Sequence, residues 1–273
     1  MYINCKGNLI DLSTPKVMGI INLTPDSFYD GGTYKDMDAV IAQVGSMLDE
    51  GATFIDMGAY SSRPGAANIS IEEEEKRIIP VIREVLKHYP EALISVDTFR
   101  SHVAREAIYT GACMVNDISA GMLDSDMMSV VGELRVPYVL MHMRGTPQTM
   151  KQLTDYEDIL KELTSYFSER LACARRHKIN DLIIDPGFGF AKTTEQNFKL
   201  LKELRFFQFL EVPLLAGLSR KSMIYKTLEG NPQTSLNGTT ALNMIALQNG
   251  ASILRVHDVK EAIECIRLHN ALG

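Results

Sequence analysis

Short apolar runs recur along the chain. Each stops at a polar residue and gives way to a longer stretch with helical spacing. The runs fall at 17–21, 54–57, 93–96, 113–115, 138–141, 182–184, 214–216 and 253–256. Their shortness and the polar loops that bound them read as buried strands. Helical patterns lie between them, at roughly 36–50, 71–88, 101–110, 125–134, 156–177, 195–206, 221–228 followed by 238–249, and 259–271. Ser70 with Glu73 and Thr193 with Gln196 have the spacing of helix-capping pairs. Gly51, Gly111 and Gly250 stand where helices end, and each opens a similar stretch, GATFID, GACMVN and GASILR. The echo points to a repeated βα unit.

Eight strands, each followed by a helix, predict an α/β fold of the (β/α)8 TIM-barrel type. An open doubly wound sheet is the alternative on pattern alone. The 273 residues match one such barrel, which runs to about 250 residues. The expected organisation is one domain over 1–273, with an N-terminal hairpin in 1–16 and the barrel in 17–273. The acidic run at 72–75 reads as a solvated helix start, where carboxylates favour the positive end of the dipole.

Composition narrows the function classes. An apolar content of 45% supplies a full core, and a net charge of −6 argues against bulk nucleic-acid binding. Cys5, Cys113, Cys173 and Cys265 form no CxxC pair, so free thiols in a cytoplasmic setting are expected. The first residues carry no signal-peptide pattern, and no apolar run reaches the ~18 residues of a membrane span.

The polar residues at the strand ends carry the candidate chemistry. Asn22 follows the first strand, Asp97 the third, Asn116 and Asp117 the fourth, His142 the fifth and Asp185 the sixth. Ser61 to Gly65 follow the second, Ser219 to Lys221 the seventh, and Arg255 and His257 close the eighth. A barrel brings these ends to one mouth. Asp97, Asn116 and Asp185 suit a flat heterocycle, because a carboxylate accepts two parallel N–H bonds from an aminopyrimidine edge. Lys221 suits a ring carbonyl or nitrogen. Arg63, Arg255 and His257, with Asn22, suit an anion, and an amide oxygen suits Mg²⁺ better than Zn²⁺. Bland readings stand beside these: His142 as a brace, Asp117 as a turn cap, Phe190 as loop packing, and the methionines as core filler. The segment 187–193, GFGFAKT, lacks the GxxxxGK(S/T) spacing of a nucleotide loop.

Nine blocks in order resemble the dihydropteroate synthase family: MGIINLTPDSFYDGG, GAYSSRPGA, SVDTFR, VNDISAG, MHMRGTP, IIDPGFGFAKT, LAGLSRKS, NGTTALN and LRVHDV. The resemblance runs from Val17 to the last helix. It implies a homodimeric, Mg²⁺-dependent transferase of folate biosynthesis and a sulfonamide target. Such an enzyme joins 6-hydroxymethyl-7,8-dihydropterin pyrophosphate to p-aminobenzoate. The resemblance puts the pterin on Asp97, Asn116, Asp185 and Lys221. It puts the pyrophosphate on Asn22, Ser62, Arg63, Arg255 and His257, with the metal at Asn22. Phe28, Pro64, Phe190 and Ser222 would border the p-aminobenzoate pocket. The family commonly reads GGESTRPGA in the second loop; Tyr60 stands here for the Glu and Ser62 for the Thr. A methyltetrahydrofolate:corrinoid methyltransferase would share the pterin floor without the anion rim, and a silent pterin-binding protein would not need to keep the rim.

Overall fold

The structure is a computed structural model that describes residues 1–23, 34–61 and 68–272. Of the site residues expected from sequence, Phe28, Ser62, Arg63 and Pro64 lie outside the described residues. The chain opens with a hairpin of β1 (Tyr2–Cys5) and β2 (Asn8–Asp11). Eight parallel strands follow: β3 (Lys16–Asn22), β4 (Phe54–Gly58), β5 (Ile94–Asp97), β6 (Met114–Asp117), β7 (Tyr138–Met141), β8 (Leu182–Asp185), β9 (Leu215–Ala216) and β10 (Ile253–Val256). Their order is β8-β7-β6-β5-β4-β3-β10-β9, and a parallel bridge between Ile184 and Leu214 brings the two edges together. The helices on the outside are α1 (Tyr34–Asp49), α2 (Ile71–His88), α3 (Ser101–Thr110), α4 (Met127–Leu134), α5 (Ile159–Arg176), α6 (Thr194–Lys202), α7 (Ser222–Thr227), α8 (Leu236–Gln248) and α9 (Val259–Ala271). The eight expected strands are all present, within a residue or two at each end, and the expected TIM barrel is the fold.

Side chains alternate across a strand with period two, and the core splits accordingly. Val17, Ile21, Ile55, Met57, Ile94, Val96, Val115, Leu140 and Leu254 face the helices in one buried cluster. Met18, Phe54, Met114, Val139, Ile183, Leu215 and Ile253 point into the barrel in a second. Ile3, Cys5 and Leu12 of the hairpin segment belong to that second cluster, so the hairpin plugs the N-terminal end of the barrel. Two residues further along the same inward rows, the side chains turn polar: Asp56 after Phe54, Asn116 after Met114, Asp185 after Ile183 and Arg255 after Ile253. The barrel is therefore apolar below and polar at its C-terminal mouth.

Local chemistry adjusts several boundaries. Asp158 accepts from Leu160 N and Lys161 N as N-cap, which starts α5 at Ile159 rather than at Tyr156. The Thr193–Gln196 capping box starts α6 as expected. A single helix over 195–206 does not form: α6 stops at Lys202 and a 3₁₀ segment, Leu204–Leu210, follows. Its buried residues, Leu204 and Phe207, are three apart, the repeat of a 3₁₀ turn. The acidic run at 72–75 also departs from expectation. Glu74 is fully buried, accepting from Thr98 Oγ1 at 2.6 Å and pairing with Arg100 at 2.7 Å. A carboxylate at that depth persists because both partners reach it.

Replacing Ile3 with Ala tests the plug. Ile3 is 1% exposed, and an uncollapsed cavity of this kind costs about 2–5 kcal/mol. The urea midpoint should fall with the slope unchanged. A loss below about 1 kcal/mol would show that the hairpin is not part of the cooperative core.

Candidate active site

Register fixes a polar row across the mouth. Asn22 pairs with Gly58, Gly58 with Asp97, and Asp97 with Asn116. Gly58 leaves room in that row, since a Cβ there would lie 3.2 Å from Asp97 Cβ. Asp97 and Asn116, expected to act together, stand side by side.

Beneath them is a charge triad. Arg255 donates from Nε to Asp56 Oδ2 at 2.6 Å and from an Nη to Asp97 Oδ2 at 2.7 Å. Asn116 Nδ2 donates to the same Asp56 oxygen at 3.0 Å. Asp56 is fully buried, and its other oxygen, Oδ1, has no hydrogen-bond partner among the described residues. Sequence reasoning passed over Asp56. Its signal was available: a carboxylate within the buried run FIDMG, at a position that alternation turns inward. Burial opposes the charge of Arg255, yet Asp56 and Asp97 hold its pKa above the ordinary guanidinium range. Burial pushes Asp97 up to about 7, against the pull of Arg255, with Asp56, Glu74 and Asp117 adding to the rise.

The other side of the mouth is built by β8 and the loops after β8 and β9. A Cβ at Gly217 would lie 3.6 Å from Lys221 Nζ, 3.9 Å from Asp185 Oδ2 and 4.0 Å from Arg255 Cβ. These three expected residues therefore converge on one space, and glycine keeps it open. Asp185 Oδ1 accepts from Gly187 N at 2.8 Å. Burial raises its pKa, while Lys221 and that N–H oppose the rise. Burial pushes Lys221 down to about 8, with Asp185 opposing. Lys221 donates to the Phe188 carbonyl, and its Nζ lies 5.1 Å from the Phe190 ring centre. The half-buried Phe190 ring also packs against the cluster of Ile118, Met141, Met143, Met150 and Ala191, so it meets both the loop packing and Lys221. Ser222 opens α7, and Lys221 is its N-cap.

At the rim, His257 Nδ1 lies 3.0 Å from Ser219 Oγ, which also accepts from His257 N at 3.2 Å. Arg220 turns to Asp258 instead of the mouth. Asp117 has the bland role, holding Ser119 N, Gly121 N and the Tyr138 hydroxyl. His142 is a brace, with Nδ1 2.9 Å from the buried Lys192 Nζ. Tyr60 donates to Asn68 Oδ1 at 2.6 Å, and its ring meets Phe99 edge-on with Arg100 5.3 Å above it. These contacts join the two described ends of the second loop.

Among the described residues, no three His, Cys, Asp or Glu side chains gather as a metal cage. Asp56 and Asp97 are engaged with Arg255, leaving the amide oxygen of the half-buried Asn22 as the rim donor suited to a hard cation. Such a donor set fits Mg²⁺ held mainly by substrate phosphates and its own waters.

Residues 18–257 match the family model described as pterin binding enzyme. Dihydropteroate synthase of Escherichia coli K12 is 42% identical over 99% of this chain and 96% of its own length. A Yersinia pestis dihydropteroate synthase crystallised with a sulfonamide drug superposes with a TM-score of 0.93, at 38% identity, covering 100% of this chain and 99% of that one. A Xanthomonas albilineans dihydropteroate synthase with 4-aminobenzoic acid gives 0.92, at 40% identity, covering 99% and 97%.

The raised pKa of Asp97 has a sign that can be checked. Its stabilising contribution is complete below the ordinary carboxylate value of 3.8 and is lost as the pH rises through about 7. The stability difference between the unliganded protein and D97N should therefore drift across that window and level off above it. A difference that is constant between the two pH values, measured by urea denaturation, would give Asp97 an ordinary pKa.

Proposed function

The chain belongs to the pterin-binding enzymes, and within them to the dihydropteroate synthases, transferases of folate biosynthesis; on that premise we propose how its mouth works. The reaction is the condensation of 6-hydroxymethyl-7,8-dihydropterin pyrophosphate with p-aminobenzoate to 7,8-dihydropteroate and pyrophosphate, by a dissociative displacement. The observation that carries this reading is the convergence of Asp185, Lys221 and Arg255 on the space above Gly217, with Asp97 and Asn116 alongside.

Asp185 keeps Oδ2 toward that space while Gly187 N–H occupies Oδ1. Gly187 uses one lone pair of Oδ1, and with Oδ2 and the remaining lone pair of Oδ1 the carboxylate can accept the parallel N–H donors of an aminopyrimidine. Asp97 and Asn116 read the neighbouring ring edge, and Lys221 donates to a ring acceptor. The bond from the pterin methylene carbon to oxygen breaks first, and its electron pair leaves with pyrophosphate. Positive charge then spreads from that carbon into the ring, where Asp97 and Asp185 offset it. His257 and Arg255 are on hand for the departing anion, and the family resemblance would add Ser62 and Arg63 of the second loop. Asn22 would hold Mg²⁺, which when bound supplies further neutralisation of the pyrophosphate. The arylamine nitrogen then attacks the carbon and loses its proton. By the family resemblance Phe190, Ser222, Pro64 and Phe28 would border its pocket; of these, Phe190 has its ring beside the Lys221 ammonium. The amine needs positioning more than a strong base. Sulfonamide competition at the arylamine pocket, a homodimer and a cytoplasmic location belong to the same reading.

Steady-state pyrophosphate release measured with and without p-aminobenzoate tests the reaction; sustained release over many turnovers should require both substrates. Release that ignores p-aminobenzoate, or no release at all, would overturn it. Asp185→Ala should lower turnover about a hundredfold or more, given ~1.5–3 kcal/mol for each charge-assisted bond lost. Near-normal turnover would remove Asp185 from the pterin floor. Arg255→Lys keeps a charge but loses the two-carboxylate fork; it should slow pyrophosphate release, and unchanged kinetics would take Arg255 out of the mechanism.

A further inference from the structure

Lys192 is buried, 8% exposed, behind the mouth and outside the substrate space described above. Burying an ammonium is costly unless its donors are all paired. As an ammonium Lys192 has three donors, and four acceptors surround it: His142 Nδ1 at 2.9 Å, the Phe190 carbonyl at 2.9 Å, the Gly187 carbonyl at 3.0 Å and the His142 carbonyl at 3.4 Å. Burial lowers its pKa well below the usual lysine range, and Asp185 opposes that fall. For Nδ1 to accept, the His142 proton must sit on Nε2. Burial and the nearby Lys192 keep that ring neutral, pushing its pKa down to about 2. His142 is itself held edge-on against Tyr166, 4.8 Å between ring centres.

Two of the acceptors belong to one turn. Gly187, Gly189 and Ala191 all take positive φ, at 69°, 82° and 49°. A backbone so folded aims carbonyls away from any regular ladder, and they need partners. The same turn serves the mouth at three points. Gly187 N–H orients Asp185, the Phe188 carbonyl accepts Lys221, and the Phe190 ring lies beside the Lys221 ammonium. Asn197, 2% exposed, adds a second hold, accepting from Gly189 N at 2.7 Å.

We propose that Lys192 is a positioning residue for the condensation: its ammonium ties the 187–191 turn to the end of β7 through His142 and so sets Asp185, Lys221 and Phe190 against the two substrates. The proposal rests on the functional reading above for what those three residues contact. Lys192 touches neither substrate and moves no proton. Its effect travels through the turn that carries the substrate-facing groups.

Lys192→Met keeps the stem and removes every donor. In the folded variant, hydrogen exchange of the 187–191 amides should accelerate about tenfold or more, with the α2 and α5 amides unchanged. The KM for p-aminobenzoate should rise about tenfold and 7,8-dihydropteroate should bind correspondingly more weakly, a larger change than in kcat. In an F190A background the same substitution should add little to KM, because the pair acts through one ring. Lys192→Gln, with two donors, should fall between Met and the parent. Unchanged exchange in the turn, or a lowered Tm with KM and product binding intact, would overturn the proposal by making Lys192 a core residue only. Failure of both variants to fold would overturn it in the same way. The exchange readout needs no turnover. Absence of condensation in the parent enzyme would count against the functional reading, while the exchange result would still decide the clamp.

Discussion

A guanidinium held between two carboxylates inside a barrel sets the terms for everything around it. Arg255 reaches Asp56 below and Asp97 beside it, and Asn116 shares the Asp56 oxygen. None of these charges is tolerable alone at that depth, because removing one partner leaves another buried and unpaired. The triad and Asn116 together tie β4, β5, β6 and β10 at the mouth. It also presents the mouth with carboxylate, amide and cation in fixed order. Stability and recognition depend on the same few bonds.

The plug and the mouth divide the interior between them. Apolar inward residues and the N-terminal hairpin close one end, and two residues later the same rows become polar. The carboxylates of the mouth consequently sit above a dry floor, where desolvation raises Asp97 and Asp185 and lowers Lys221. Charges poised in this way respond strongly to a charged or hydrogen-bonding ligand. The loop after β8 is held by buried polar groups, Lys192 and Asn197, that never reach the mouth. Support of this kind is what keeps a site on a loop as well defined as one on a strand.

The sequence by itself determined the order of strands and helices, the caps at Ser70 and Thr193, and the set of polar strand ends. Those features are local: periodicity, capping chemistry and chain order are written in neighbouring residues. Asp97, Asn116, Asp185, Lys221 and Arg255 were legible as residues of the barrel mouth because a polar residue at a strand end is visible without knowing its partners. The tertiary structure decided what each one meets. Arg255 reads from sequence as an anion-binding residue, yet it is engaged by Asp56, a residue 199 positions away in the chain. Glu74 reads as one acid in a solvated run, yet Arg100 and Thr98 bury it. Nothing along the chain singles out Lys192, yet four acceptors from two segments enclose it. Burial and pairing across the barrel depend on contacts between distant segments, and no periodicity along the chain encodes them. That is why the elements could be read from the sequence, while the charge triad and the clamp behind it had to wait for the fold.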